Sequence, residues 1–330
     1  MERFDAVVVG GGIIGLASAW RAQQRGLRVC VLERATPGSG ASHVAAGVLG
    51  PDPETPGFTA LARASAALWP AFADELGDVG YTRCGSLALS FDSGELEDCW
   101  LDGDTCRALE PGVSPDCVGG FLLDEDAQVD PRRVVATLSG RVADLVTGAD
   151  VVGVAPDSVE LADGSTIGAD RVVLAAGAWT SRRFAPLLPV RPVKGQTLRL
   201  RGPLPATRII RSEHVYVVPR ASGETVLGAT VEEAGYDETP TDVATQLLMR
   251  QAIRAVPSVA DLELVEAAAS LRPGTPDNGP LIGEWMDFVV ATGHFRNGIL
   301  LAPITAEAIA ALLTGDEPPP ETAPFDPNRF

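Results

Sequence analysis

Six residues near the start of the chain, Gly10-Gly11-Gly12-Ile13-Ile14-Gly15, have the types and spacing to hold a phosphate. They fit G-x-G-x-x-G, and their flanks are those the chemistry needs. Val7–Val9 is a short apolar run, the mark of a buried parallel strand, and a helical pattern follows to Gly26, a natural C-cap. A second apolar strand, Val29–Leu32, ends in Glu33. Gly10 permits the tight turn, Gly12 lets the backbone approach a pyrophosphate, and Gly15 lets the helix pack close to the strand. The helix N-terminus offers unpaired N–H groups and positive dipole to the phosphates. Glu33, 21 residues after Gly12, is placed to accept hydrogen bonds from both ribose hydroxyls. A glycine-rich turn alone would carry little. With strand, helix, second strand and acid in register, dinucleotide binding is expected, and an acid at the ribose argues against a 2′-phosphate. FAD or NAD remain.

Other reactive residue types are sparse. The five cysteines (Cys30, Cys84, Cys99, Cys106, Cys117) form no C-x-x-C pair, and with three histidines there is no metal-ligand cluster. Lys194 is the one lysine; nothing around it supports a Schiff base, and a surface or flavin-edge role stays open. His43 lies in the small-residue stretch Gly38–Leu49, whose backbone N–H groups could close over a ring system or phosphate. A plain loop histidine is expected there rather than a base or a covalent flavin attachment.

The elements that position these residues span 330 amino acids, about two domains. Acidic residues outnumber basic ones 44 to 26, a net charge of −18 that would repel phosphate backbones, so nucleic acid is not an expected partner. The first strand begins at once, so no signal peptide is expected. No apolar run reaches the ~18 residues of a membrane span. A cytoplasmic protein that does not bind membranes is expected.

Along the chain, Thr59–Leu76 reads as an amphipathic helix, Tyr81–Phe91 as a strand and Asp92–Cys106 as irregular. Gly120–Leu123 is a short strand, and Asp130 caps a helix that begins at Pro131 and runs to about Leu138. Val151–Val154 and Ser158–Leu161 are strands, and Asp163-Gly164 makes a hairpin turn. Arg171–Ala175 is a second buried strand that delivers Gly177 where a backbone could approach a ligand. From Thr197 to Thr230 short alternating strands, clearest at Val215–Val218 and Thr225–Ala229, signal an antiparallel sheet. Asp242–Val256 is a helix, Ala267–Leu271 a strand, Arg272–Asp277 a turn-rich segment and Phe288–Ala291 a strand. The helix Thr305–Leu313 is closed by Gly315, and the tail from Pro318 is extended packing or disorder.

VVVGGGIIG, AAGVL, AAGAW, PVKGQ, HVYVVPR, GATVE, ASLRPGTPDNGPLIG and GHFRNGILLAP, in this order, resemble the D-amino-acid oxidase superfamily of flavoproteins. The glycine oxidases of the thiamine-biosynthesis type are most similar. The resemblance implies an α/β protein with an added antiparallel sheet: a Rossmann-type FAD-binding domain (1–80, 130–190 and 268–330) interleaved with an α+β substrate domain (81–129 and 191–267). It puts Gly10, Gly12, Ile13, Ile14, Gly15, Glu33, Arg34, Ala41, Ser42, Ala46, Gly47 and Val48 at FAD. Val151 falls near the adenine, and His294, Phe295, Arg296, Asn297, Gly298, Ile299 and Leu300 run along the flavin. Arg272 matches the arginine that pairs with the substrate carboxylate, Arg296 a second arginine and Tyr216 a tyrosine over the substrate. A guanidinium suits that task because it presents a fixed fork to a carboxylate. His214, two residues before Tyr216, is expected on the same strand face as its support.

The activity that the resemblance implies is oxidation of glycine or another small amino acid (sarcosine, D-alanine) to the 2-oxo acid, ammonia or amine, and hydrogen peroxide, with molecular oxygen as acceptor. FAD is expected to be non-covalent, since no cysteine sits where one type of sarcosine oxidase attaches its flavin. Arg272 and Tyr216 orient the substrate, and N–H groups of Gly298–Leu300 stabilise negative charge. The chain departs from the pattern at Val231, often methionine in these oxidases, and looks shortened at 92–106 and 139–150. A D-amino-acid dehydrogenase or another secondary-amine oxidase would share most motifs, and a homo-oligomer is left open.

Overall fold

In the computed structural model, which describes residues 3–50, 58–92 and 100–330, the apolar runs assemble into two large sheets. The strand Arg3–Val9 is central in the first, flanked in parallel by Val29–Glu33 and Thr166–Leu174. Asp144–Thr147 and Phe288–Thr292 extend the parallel order on either side, and Leu281–Trp285 closes one edge antiparallel. Successive side chains of the first strand enter different cores. Ala6 and Val8 meet the helical layer with Leu16, Trp69 and Leu301, while Val7 and Val9 meet Val151 and Leu188. Burial on both faces is why the run reads as continuously apolar. Gly15 allows the first helix, Ile13–Gln24, to sit this close: a Cβ there would lie 2.0 Å from the Gly10 carbonyl oxygen.

The second sheet runs in the order Glu263–Gly274, Arg191–Arg201, Glu224–Gly228, Tyr216–Pro219, Ile209–Arg211, Ser86–Ser90, Gly119–Leu123, Leu101–Asp102. Its pairings are antiparallel except Ile209–Arg211 with Ser86–Ser90. The helix Asp242–Ala255 covers the outer face, where Leu248, Ala252 and Ala255 pack on Leu198, Leu200 and Leu227. The inner face, carrying Gly195, Thr197, Tyr216, Gly228 and Arg272, roofs a cavity shared with the first sheet.

Several expectations shift. The strand expected at Ala267–Leu271 runs from Glu263 to Gly274, so Arg272 is a strand residue and the boundary expected at 268 falls inside the second sheet. Its eleven-residue partner, Arg191–Arg201, holds it in the ladder past Arg272. The irregular stretch expected at Asp92–Cys106 ends in a helix, Gly103–Leu109, because the Asp102 carboxylate caps the Thr105 N–H; residues 93–99, Cys99 among them, lie outside the described residues. The last helix starts at Ala302, with Pro303 in its first turn, rather than at Thr305. The proline-rich tail forms two 3-10 turns that bury Thr322 and Phe325.

Candidate active site

A cavity of about 990 Å³ lies between the sheets. All the expected cofactor residues line it except Gly15 and Leu300, and Arg272, Tyr216, Arg296 and His214 line it too.

At the phosphate end, Gly10 has φ +116°, and a side chain there would strike the Ala175 carbonyl. Gly12 is open: a Cβ would meet nothing nearer than Ser42 Oγ at 3.5 Å, which leaves its cavity side free for a ligand. Ser42 caps the first helix from a distant segment, its Oγ accepting the Ile13 N–H at 3.1 Å. The Glu33 carboxylate accepts from Gly11 N–H at 2.8 Å and Ala35 N–H at 2.9 Å. Both oxygens are thereby fixed, and each keeps acceptor capacity for a ribose hydroxyl. Arg34 stacks on Trp179 at 4.2 Å beside Val151 and Gly177.

The small-residue loop crosses the middle of the cavity and contains a short helix, Ala41–Val44. Three of its carbonyls are taken by the roof sheet or its neighbours. His43 O accepts from Arg199 (3.2 Å) and Arg132 (3.1 Å), Val44 O from Thr197 Oγ1 (3.0 Å), and Ala46 O from Arg220 (2.8 Å). Arg199 and Arg220 are buried, and burial lowers the pKa of each, but Glu224 and Asp130 compensate the charge. With these carbonyls committed, the loop turns Ala45, Ala46 and Val48 toward the cavity. The His43 ring does not line the cavity; it lies 3.5 Å from Glu266, and burial lowers its pKa.

The roof holds the reactive types. Tyr216 lies across Gly228, where a Cβ would sit 2.5 Å from its hydroxyl, and Arg272 lies across Gly195, where a Cβ would sit 2.2 Å from Nη1. Each glycine is a lane for the neighbouring strand's side chain. Arg272 Nη1 donates to Thr230 O at 2.9 Å, and both side chains remain partly exposed to the cavity. Burial lowers the Arg272 pKa and raises that of Tyr216, leaving a cation beside a neutral hydroxyl, with Arg296 nearby at the exposed rim.

Along the far wall, His294 is fully enclosed, its Nε2 3.0 Å from Thr305 Oγ1, and burial pushes its pKa down to about 3. The N–H groups of Gly298 and Ile299 are not used in backbone hydrogen bonds among the described residues. Leu300 does not line the cavity. Its carbonyl accepts from Ser65 Oγ (2.7 Å) and Trp69 Nε1 (2.9 Å), tying it to the core rather than the cavity. His214 departs from expectation. The strand begins only at Tyr216, so the two-residue spacing does not set a common face, and His214 is exposed at the rim 3.6 Å from Glu213. Lys194 is on the outer face of the roof, not at the cavity. Gly195, Gly228, Arg199 and Arg220 escaped the sequence reading. Glycines inside alternating strands were the available signal for the first two.

A cavity that runs from the Gly10–Gly15 turn to an arginine, a tyrosine and a second arginine suits a nucleotide cofactor and an anionic substrate. Residues 5–312 match the FAD dependent oxidoreductase family, and the chain belongs to it, with FAD as cofactor. It is 36% identical to a bifunctional protein ThiO/ThiG of Trichormus variabilis over 99% of its own length, spanning 55% of that relative. It is 32% identical to the glycine oxidase of Geobacillus kaustophilus, covering 99% of this chain and 97% of the relative. The crystal structure of a glycine oxidase from Geobacillus kaustophilus superposes with a TM-score of 0.93 at 30% identity, over 100% of both chains. The chain thus spans about half the length of the fused relatives and nearly all of the single-function ones.

Proposed function

We propose that this protein is a cytoplasmic, glycine oxidase-like enzyme that oxidises glycine or another small amino acid, such as sarcosine or D-alanine. The products are the 2-oxo acid, ammonia or the amine, and hydrogen peroxide. One observation carries this reading: the guanidinium of Arg272, laid over Gly195 and aimed by the Thr230 carbonyl, faces the cavity next to the Tyr216 hydroxyl. A fork held by one carbonyl keeps donors for a substrate carboxylate. Among the described residues no helix is long and apolar enough to cross a membrane.

In this reading the first sheet forms the FAD-binding domain and the second the substrate domain. Gly10–Gly15, Ser42 and Glu33 hold the pyrophosphate and ribose, and Ala46–Val48 with His294–Ile299 bracket the ring. FAD, held without a covalent link, supplies the two-electron acceptor. Arg272 grips the carboxylate, Tyr216 and Arg296 close the site around it, and the substrate amine enters neutral, so no side chain has to remove a proton. His294 stays neutral throughout, and the N–H groups of Gly298 and Ile299 donate where negative charge gathers. Val231 stands at the exposed rim of the cavity, and its side chain, smaller than the methionine often found there, supports substrates larger than glycine.

The ThiO/ThiG name of the fused relatives supports a place in thiamine biosynthesis. A peroxide assay over glycine, sarcosine, D-alanine and L-alanine tests the reading. Turnover of the first three with peroxide release supports it. Reduction of an artificial acceptor without peroxide would favour a D-amino-acid dehydrogenase. Acid precipitation is expected to leave the flavin in the supernatant.

A further inference from the structure

The outer face of the roof sheet carries a group that the reaction does not use. Lys194, the sole lysine, has a side chain only 1% exposed, on a face it shares with Gln196, Leu198 and Leu200. An ammonium is costly to bury unless it is paired. Its Nζ donates to Asp237 Oδ2 at 2.6 Å, and that hydrogen bond draws the pKa of the exposed Asp237 carboxyl down to about 2.

Asp237 belongs to a strap, residues 229–241, that leaves the roof after Gly228 and returns as the helix Asp242–Ala255. The strap is stitched to the strand bearing Lys194. Lys194 and Glu232 exchange both backbone hydrogen bonds at 2.9 Å. The Gln196 N–H donates to Thr230 Oγ1, its Nε2 to Glu232 Oε1, and its Oε1 accepts the Thr241 N–H. Further along, Tyr236 lies on Trp179 and donates to the Ala178 carbonyl, and Ser270 Oγ donates to Glu238. Val231, Glu232 and Glu238 of the strap line the cavity. Its Thr230 carbonyl is the acceptor that aims Arg272.

We propose that Lys194 is a positioning residue for the substrate carboxylate, its ion pair with Asp237 holding the strap 229–241 in the register at which Thr230 orients Arg272. The inference rests on the proposed role of Arg272 and would extend it to a residue on the opposite face of the sheet. Opening the strap frees the Arg272 fork to wander, which weakens substrate capture more than the chemistry after it.

Asp237→Asn tests this while leaving an acceptor oxygen for Lys194, with the flavin spectrum and thermal melt as controls for the fold. With FAD bound, it is expected to raise KM for glycine by about tenfold while kcat stays within about twofold, and Asp237→Glu is expected to restore most of the loss. Lys194 being the only lysine, an amine-reactive N-hydroxysuccinimide ester followed by peptide mass spectrometry reads the strap directly. Labelling of Lys194 is expected to be slow in the wild type and several-fold faster in Asp237→Asn. An unchanged KM in Asp237→Asn, or Lys194 labelling at the wild-type rate, would overturn the proposal. A wild type that oxidises no amino acid would instead sink the substrate reading, and the labelling arm would still decide whether the ion pair holds the strap.

Discussion

Gly195→Ala isolates the geometry of the carboxylate site from the stability of the fold. A Cβ at residue 195 would lie 2.2 Å from Arg272 Nη1 and 2.3 Å from Cζ, against 3.4 Å for ordinary contact. The guanidinium therefore has to retreat by about 1.2 Å. The clash falls on the far end of a flexible side chain beside an open cavity, so the fold can absorb it and the melting temperature is expected to move little. The fork, however, leaves its aim, and a misplacement of ~1 Å at a reacting centre can cost about 10²-fold. We expect kcat/KM for glycine to fall about a hundredfold, near 2.7 kcal/mol of transition-state stabilisation. Anaerobic stopped-flow reduction of the bound flavin measures this, with the flavin spectrum and thermal melt as controls. Wild-type reduction kinetics in a fully flavinated Gly195→Ala variant would refute the placement of Arg272 over this glycine.

Three further perturbations probe the same site. His294 is neutral when folded, with a pKa near 3, but titrates near 6.5 when unfolded. The stability it contributes is therefore present above about pH 6.5 and is lost as pH falls toward 3. Between pH 7 and pH 5 it accounts for about 2 kcal/mol of the loss, so urea unfolding of His294→Asn should show a correspondingly shallower pH dependence. Arg220→Met leaves the Ala46 carbonyl and Asp130 without their buried partner. Losing a charged hydrogen bond worth ~1.5–3 kcal/mol should weaken FAD binding to the apoprotein by about ten- to a hundredfold, and Arg220→Lys should recover part of it in a fluorescence titration. Val231 lines the cavity, and a change of one methylene shifts selectivity by about 1–3 kcal/mol. Val231→Met should thus narrow turnover toward glycine in a substrate panel, and unchanged relative rates would show that residue 231 does not contact substrate.

The nucleotide half was legible because its signals are local. Gly10 makes the tight turn and Gly15 the close helix–strand approach within one strand–helix–strand unit, and Glu33 ends its second strand. The roof was legible only as alternation. Which strand pairs with which is a long-range matter, so the glycine lanes under Arg272 and Tyr216 could not be read from a linear pattern. Of the turn-rich segment expected at Arg272–Asp277, only the part from Pro276 turns; Arg272–Gly274 stays in the long ladder with Arg191–Arg201, to which local turn chemistry yields. His214 failed because period-2 reasoning assumes the strand has already begun. A motif names a segment, whereas the backbone turns residue by residue, which is why the Leu300 carbonyl faces the core while its neighbours line the cavity. Arg199 and Arg220 carried no local signal, because the carbonyls they hold lie far off in sequence, on the small-residue loop.

In the proposed function Arg272 holds a substrate carboxylate beside bound FAD. That role is tested most directly by anaerobic bleaching of the flavin with glycine in the wild type, Arg272→Ala and Arg272→Lys. Truncating one partner of a charge pair costs about 2–5 kcal/mol, and the partial exposure of Arg272 to the cavity points to the lower half of that range. Arg272→Ala is expected to retain its yellow flavin and to bleach about two decades more slowly at low glycine. Arg272→Lys should recover only part of the rate, because an ammonium lacks the planar fork. Bleaching of Arg272→Ala at the wild-type rate would contradict that role.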